Sequence, residues 1–249
     1  MKLTCLGSAG GYPSGKNGTT SYLVTSQDGA YTFLLDAGSG SALALEQQMD
    51  VSDLNAIVIT HDHADHTADL GIYQHLLMLR QPLAKHAPVP IYLHPNAKVR
   101  KLLMIGETSE PQAYQPDEVL DLGAFRLSFC LTVHPIECYA VRIEEVATGE
   151  VLVFTADSGW CDALVPFSQN ADVLLADCAF PNEVGSNGIH LIAQEVAQLA
   201  NEAQVKQVIA SHIAPQADVG LILAQVRESL DTKISLVKAE PGAVYAVRQ

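Results

Sequence analysis

Three histidines and two aspartates lie in the stretch HDHADH at 61–66, which only Thr60 separates from the apolar run LNAIVI at 54–59. Side chains alternate in direction along an extended chain, so His61 and His63 leave the strand end on one side and can bind one cation together. Asp65 and His66 are adjacent and therefore point apart, and they can serve a second cation only if the chain turns there. Imidazole and carboxylate are ligands of Zn²⁺ and similar metals. The stretch therefore predicts a metal site.

The spacing His-x-His-x-Asp-His after a buried strand resembles the metallo-β-lactamase superfamily. That resemblance implies an α+β fold, a four-layer αβ/βα sandwich in which two mixed β-sheets are flanked by helices. It also implies one or two metal ions at the strand ends, held with the help of a further histidine, a bridging aspartate and a last histidine.

Three later segments supply residues of those types at their ends. The alternating strand LSFCLTV leads into His134, VLVFTA leads into Asp157, and VKQVIAS leads into His212. Taken alone, each residue is better explained as a turn, cap or surface residue. Because they recur in order at strand ends, we interpret them as metal ligands.

Within the superfamily, the chain resembles the ribonuclease Z-like phosphodiesterases along nearly its whole length. The segments that carry this likeness are LGSAGGYP at 6–13, NGTTSYLV at 17–24, LLDAGSG at 34–40, DVLLADCAF at 172–180 and GIHL at 188–191. The metal motifs are the specific part of the match, whereas the glycine-rich segments are less specific.

The resemblance implies two divalent metal ions, with zinc favoured and manganese or iron as alternatives. The first would be held by His61, His63 and His134, the second by Asp65, His66 and His212, and both by Asp157. A water bridging two such cations loses a proton near neutral pH, while the cations neutralise phosphate oxygens. Asp65 is also a candidate proton acceptor for that water.

Two further residues are candidates for catalysis rather than metal binding. His190 precedes the helix predicted from Ile192, where the positive helix end favours a phosphate, and it can protonate the leaving alkoxide. In ribonuclease Z-like enzymes an acidic residue positions the equivalent histidine. Asp177 matches it, where the family commonly has Glu. Helix capping for His190 and a turn role for Asp177 are the alternative interpretations.

The rest of the chain fits one domain over 1–249. Of the 249 residues 48% are hydrophobic, and no Pro/Ser-rich linker interrupts them. Apolar spacing predicts helices over Thr67 to Arg80, Ile192 to Ala203 and Val219 to Leu230.

Charge and length restrict the substrate. The net charge is −14, which opposes docking of a long polyanion. Ribonuclease Z carries a protruding basic arm between its third-motif histidine and bridging aspartate. Here only 22 residues, 135–156, lie there. The tight basic cluster of Lys98, Arg100 and Lys101 is interpreted as a solvated helix face.

Several other features are interpreted as structural. The glycine-rich stretch at 10–16 lacks the Ser/Thr and the helix start of a phosphate-binding loop, so it predicts a loop bordering the metal cleft. His75, His86 and His94 have no partner at ligand spacing, and Asp62 is expected to point away from the metals.

Compartment and partners follow from composition. The start lacks a signal-peptide core and no run approaches ~18 apolar residues, so neither secretion nor a membrane partner is expected. The five cysteines lack CxxC spacing and predict reduced thiols in a cytoplasm. Relatives are often dimers, which leaves a homodimer open as the assembly, while the sequence does not decide the oligomeric state.

The favoured function is a dinuclear metal-dependent hydrolase acting on small or cyclic phosphodiesters or short RNA ends. The alternatives are a tRNA 3′-processing endoribonuclease, a thioester hydrolase of the glyoxalase II type, and a non-catalytic metal- or metabolite-binding protein. A di-iron oxygen reductase is disfavoured, because that branch has Glu where His63 stands. A small-molecule phosphodiester is the expected substrate.

Overall fold

The computed structural model describes residues 1–80 and 88–248. Internal packing divides the chain into two compact units. Unit 1 comprises Met1–Gln115 and Glu240–Ala246, and unit 2 comprises Pro116–Ala239 with the C-terminal residues from Val247. The single domain over 1–249 stays a prediction.

The sheet of unit 1 is mixed. Its strand order is β15-β1-β3-β4-β5-β6-β7, and β2 pairs with β1. Pairing is antiparallel from β15 to β4 and parallel from β4 to β7. The strands are β1 (Lys2–Ala9), β2 (Gly18–Thr19), β3 (Ser21–Thr25), β4 (Thr32–Leu35), β5 (Ala56–Val58), β6 (Val89–Leu93), β7 (Ser109–Ala113) and β15 (Val244–Ala246).

Among the described residues of unit 1, three short α-helices accompany this sheet, namely α1 (Ser41–Glu46), α2 (Ala64–Thr67) and α3 (Leu70–Leu79). The prediction of a single helix from Thr67 to Arg80 is wrong at its start, because the helical conformation is interrupted between α2 and α3. Asp69 explains the break, since its carboxylate accepts a hydrogen bond from the Ala42 amide at 3.0 Å. Its own amide donates to the Ala37 carbonyl. These tertiary contacts replace the intrahelical ones.

Unit 2 repeats the same sheet pattern. Its order is β14-β13-β12-β11-β10-β9-β8, antiparallel from β8 to β11 and parallel from β11 to β14. The strands are β8 (Leu120–Leu122), β9 (Phe125–Leu131), β10 (Tyr139–Glu145), β11 (Val151–Phe154), β12 (Val173–Asp177), β13 (Gln207–Ser211) and β14 (Ser235–Lys238). The fold class, two mixed sheets flanked by helices, is confirmed.

The helices of unit 2 are α4 (Leu164–Phe167), α5 (Ala193–Glu202) and α6 (Val219–Ser229). The two longer helices confirm the predictions within one residue at each end. Their apolar faces pack on the sheet in a core that includes Leu174, Val196, Leu199, Ile222 and Val226. In unit 1 the corresponding core includes Leu34, Ile57, Leu70, Tyr73 and Leu77.

Polar residues collect where strands end, and the backbone is unusual there. Asp36 follows β4, Ala156 precedes Asp157 after β11, and His212 follows β13, each with a left-handed φ of 58, 50 and 53° respectively. Non-glycine residues adopt this conformation at an energetic cost, which persists only where surrounding contacts impose it. The surrounding contacts therefore fix the backbone at these strand ends, and with it the directions of the side chains that follow.

Among the described residues, no helix combines the length and apolar character needed to cross a bilayer. All five cysteines lie in the described part of the chain, and none is in a disulfide bond.

Candidate metal centre

In unit 1, β5 delivers the first two candidate ligands. Its three residues are fully buried between β4 and β6, so the strand direction is fixed where the polar residues begin. His61 Nε2 lies 3.1 Å from His63 Nδ1. Two nitrogens each about 2.0–2.1 Å from a tetrahedral Zn²⁺ would be separated by about 3.3 Å. The observed spacing is therefore suited to chelation of one cation by both rings.

The next two candidates meet because the chain turns, as the sequence required. Helix α2 starts at Ala64, immediately after His63. The turn brings His66 Nε2 to 3.7 Å from Asp65 Oδ2, and the His66 side chain is fully buried. Unit 1 thus gathers the four predicted ligands of the motif at 61–66.

A carboxylate that was not predicted as a site residue, Asp36, forms hydrogen bonds that hold this motif in place. Asp36 is fully buried and accepts hydrogen bonds from His66 Nδ1 at 2.7 Å, the Thr60 amide at 2.8 Å and Thr60 Oγ1 at 2.9 Å. Thr60 Oγ1 also lies 3.0 Å from His61 Nδ1. A carboxylate on Nδ1 orients Nε2 toward a metal. The available signal was an aspartate directly after the apolar strand β4.

Burial of Asp36 opposes its charge. It raises the pKa of this carboxyl, while the contacts with His66 and Thr60 act in the opposite direction and favour the carboxylate.

The glycine-rich loop contacts the same motif. The Gly11 amide donates to Asp65 Oδ2 at 2.8 Å. Gly11 has φ 81°, and the Tyr12 amide reaches back to the Gly10 carbonyl, which forms a γ-turn that a glycine accommodates. The stretch leads into β2 rather than into a helix, which agrees with the rejection of a phosphate-binding loop.

In unit 2, three predicted ligands meet at one carboxylate. Asp157 Oδ2 lies 3.3 Å from His212 Nε2 and 3.8 Å from His134 Nε2. All three side chains are at most 4% exposed. His134 Nδ1 lies 3.1 Å from the Ile189 carbonyl, so its Nε2 is the nitrogen turned to Asp157. An aspartate between two imidazoles fits the bridging role predicted for it.

His190 lies beside these residues. Its ring centroid is 5.5 Å from that of His134 and 5.3 Å from that of His212. Its Nδ1 is 2.8 Å from Asp177 Oδ2, so the shorter aspartate still reaches the histidine. Asp177 is fully buried, whereas His190 remains 17% exposed.

Opposing influences act on the pKa of Asp177. Burial raises its pKa, and the adjacent His190 lowers it. The Ser158 amide donates to Asp177 Oδ2 at 3.1 Å, which also favours the carboxylate. Asp177 Oδ2 therefore accepts hydrogen bonds from both the His190 ring and the Ser158 amide, and these bonds fix the orientation of His190.

The residues interpreted as structural, among them Asp62 and the basic cluster, make contacts other than those of a metal ligand. Asp62 turns away from the ligands and accepts hydrogen bonds from the amides of Lys98 and Val99 at 2.7 and 3.2 Å. The basic cluster forms a 3₁₀ turn over Val99–Leu102 with Lys98 and Lys101 exposed, rather than an α-helical face. His75 is exposed on α3 and His94 is buried after β6. His86 lies outside the described residues.

Comparisons with known proteins place the chain in a family. A family model described as a beta-lactamase superfamily domain matches residues 31–213. The chain belongs to the β-lactamase superfamily. It is 34% identical over 217 residues to the probable metallo-hydrolase YhfI of Bacillus subtilis, covering 86% of this chain and 87% of YhfI. The crystal structure of YhfI, described as a metallo-beta-lactamase fold protein, superposes with a TM-score of 0.90 at 30% identity over 98% of both chains.

Two more distant relatives were also found. Ribonuclease Z of Methanosarcina mazei is 26% identical, covering 94% of this chain and 95% of its own. The structure of a diphosphatase from the PhnP family matches in fold alone, with a TM-score of 0.74 at 19% identity over 98% of this chain and 96% of that one. The superfamily and the ribonuclease Z likeness are confirmed. The protein is a hydrolase, and its family implies divalent metal ions.

Proposed function

We propose that the protein is a dinuclear metal-dependent phosphodiesterase that acts on small or cyclic phosphodiesters or on short RNA ends. The observation that carries this proposal is the contact of buried Asp177 with His190, next to His134 and His212. His190 is not one of the seven metal ligands of the family pattern, so its carboxylate-held imidazole is left for the chemistry, and release of an alkoxide from phosphate benefits from a proton donor.

The metal ligands we propose follow the family pattern. His61, His63 and His134 would hold one ion, Asp65, His66 and His212 the other, and Asp157 both. The donors suit zinc, with manganese or iron as alternatives, because imidazole and carboxylate are acceptable to all three. When bound, such ions lower the pKa of water and offset the negative charge of a phosphodiester.

The protein's own residues then have separate tasks. Asp65, held by the Gly11 amide, is placed to accept a proton from the attacking water. His190 Nδ1 faces Asp177, so Nε2 is the nitrogen that can donate a proton to the leaving oxygen. The Asp177 carboxylate stabilises the imidazolium form of His190 and keeps the ring in one orientation.

Substrate and surroundings complete the proposal. The acidic chain and the short 135–156 segment favour a small phosphodiester over a long nucleic acid. The Methanosarcina mazei relative is named a ribonuclease, and hydrolysis of RNA breaks a phosphodiester bond, which supports the same bond class. We propose the cytoplasm as the compartment, because the five cysteines are thiols. A homodimer stays a prediction.

A hydrolysis panel on metal-quantified protein tests the function. Its substrates are a bis-nitrophenyl phosphate, linear and cyclic phosphodiesters, a thioester, a β-lactam and a precursor tRNA. We expect about two metal equivalents per chain and turnover of the phosphodiesters. His63→Ala and Asp157→Ala should lose metal and activity, whereas His75→Ala, on the exposed side of α3, should keep both.

Three results would contradict the proposal. The first is full metal loading in Asp157→Ala, and the second is undiminished hydrolysis by a rigorously metal-free sample. The third is turnover of the thioester with none of the phosphodiesters, which would favour the glyoxalase II-type alternative.

A further inference from the structure

Two half-buried cysteines in unit 2 lie close together outside the candidate metal ligands. Cys130 is near the end of β9, and Cys161 lies between β11 and α4. Both sulfur atoms face the same carbonyl oxygen, that of Leu131, at 3.7 Å from Cys130 Sγ and 3.9 Å from Cys161 Sγ. Together these contacts limit the separation of the two sulfurs to at most 7.6 Å.

The backbone holds the two thiols in register. The Gly159 amide donates to the Val133 carbonyl at 2.8 Å, in an antiparallel bridge between these residues. Thr132 Oγ1 donates to the Asp157 carbonyl at 2.8 Å. The segments 130–134 and 157–161 are therefore fastened side by side. A disulfide requires sulfurs about 2.05 Å apart, so the two side chains must rotate toward each other before the bond can form.

The other three cysteines are differently placed. Cys5, Cys138 and Cys178 are fully buried, whereas Cys130 and Cys161 are partly accessible and border the core of unit 2. An oxidant in solution therefore reaches the pair more readily than the remaining thiols.

We propose that Cys130 and Cys161 are a modification site that forms a reversible intramolecular disulfide when the protein meets hydrogen peroxide. The Cys161 thiolate attacks one peroxide oxygen, the O–O bond breaks, and Cys161 becomes a sulfenic acid with release of hydroxide. The Cys130 sulfur then attacks the Cys161 sulfur, forming the S–S bond, and water leaves. The two thiols are oxidised by two electrons in total, and one peroxide is reduced to two waters.

The assignment of roles rests on the surroundings of the two sulfurs. Burial and the neighbouring Cys161 sulfur raise the pKa of the Cys130 thiol, which keeps Cys130 in its thiol form. Cys130 is thus the resolving residue. The disulfide would join the segment that leads to His134 with the segment that follows Asp157, four residues from each of these ligands.

Peptide mapping tests the proposal on the full chain. Protein treated with graded hydrogen peroxide is alkylated and digested with trypsin, Glu-C and Asp-N, which places the five cysteines on separate peptides. We expect a linked peptide pair containing Cys130 and Cys161, which disappears after treatment with dithiothreitol. Neither Cys130→Ser nor Cys161→Ser should give it. Cys5→Ser, a buried thiol of unit 1, is the matched control and should retain it.

A second readout does not depend on enzyme activity. Trp160 is the single tryptophan of the chain and adjoins Cys161, so an adjacent disulfide should quench its fluorescence. We expect a reversible fall in wild type and no fall in Cys130→Ser. The proposal is overturned if peroxide yields no Cys130–Cys161 pair, if a different cysteine pair forms first, or if Cys161 is carried to the sulfinic acid without a disulfide.

Discussion

At the scale of single residues, four histidines of the candidate site are oriented by partners that do not face a metal. Asp36 fixes His66 and, through Thr60, the ring of His61. The Ile189 carbonyl fixes His134, and Asp177 fixes His190. In each case Nδ1 is engaged by oxygen, so the tautomer and the direction of Nε2 are set by the fold.

Asp36→Asn should therefore weaken metal binding without removing a ligand. Asparagine tolerates the left-handed φ of 58° at this position, so the change acts on the hydrogen bonds rather than on the backbone. Loss of a carboxylate behind a metal-binding histidine typically lowers affinity about 10–100-fold. Titration against a competing chelator measures this loss. Asp62→Asn, whose carboxylate caps Lys98 and Val99 instead, is the control and should retain wild-type affinity.

Replacement of His190 separates chemistry from metal binding. His190→Ala should keep both metals and lose about 10²–10⁴-fold in turnover, the usual contribution of a general acid. The loss should be smaller for a nitrophenolate leaving group than for an alkoxide, because the former needs no proton. Steady-state rates on matched esters measure the difference. An equal loss for both leaving groups would exclude the acid role and leave phosphate positioning.

At the scale of elements, close backbone approaches decide where His190 lies. Gly159, two residues after Asp157, is packed against the backbone of Gly188, two residues before His190. A β-carbon at position 159 would lie 2.7 Å from the Gly188 carbonyl oxygen, far inside contact distance. The loop that carries His190 can thus lie against the segment after β11 only because Gly159 has no side chain.

Gly159→Ala should displace the 188–190 loop and lower turnover about 100-fold, the effect of a misplacement near 1 Å. Metal affinity should also fall, by at most about 10–100-fold, because the displaced loop includes the Ile189 carbonyl that holds His134 Nδ1. Overpacking should also reduce the free energy of unfolding by about 1–3 kcal/mol. Gly71→Ala is the control, since a β-carbon there meets no atom within 4 Å. Wild-type turnover in Gly159→Ala would show that His190 does not depend on this contact.

At the scale of the whole molecule, net charge bears on the choice of substrate. The chain carries 14 basic and 28 acidic residues. Affinity for long nucleic acids comes chiefly from neutralisation of phosphates by Lys and Arg. The cluster of Lys98, Arg100 and Lys101 spans only one 3₁₀ turn, which is a small area for docking a folded RNA.

Precursor tRNA should therefore bind weakly even at low salt, while bis-nitrophenyl phosphate is turned over. A titration of labelled precursor tRNA, paired with a cleavage assay across salt concentrations, measures both. Submicromolar binding with accurate 3′ cleavage would contradict this prediction and favour the ribonuclease interpretation. The similarity to the Methanosarcina mazei ribonuclease Z, at 26% identity, is the reason to test it.

The sequence by itself determined the superfamily, the fold class and the identity of the candidate ligands. The HDHADH spacing and the histidines and aspartates at strand ends are local patterns, and apolar periodicity predicted α5 and α6 within one residue. Only the tertiary structure decided the break before α3, the support of His66 by Asp36 and the contact of Gly159 with Gly188. The paired residues in these three cases are 27, 30 and 29 positions apart in the sequence. No spacing rule connects such residues, because their meeting depends on strand order and on which buried groups remain to be hydrogen-bonded.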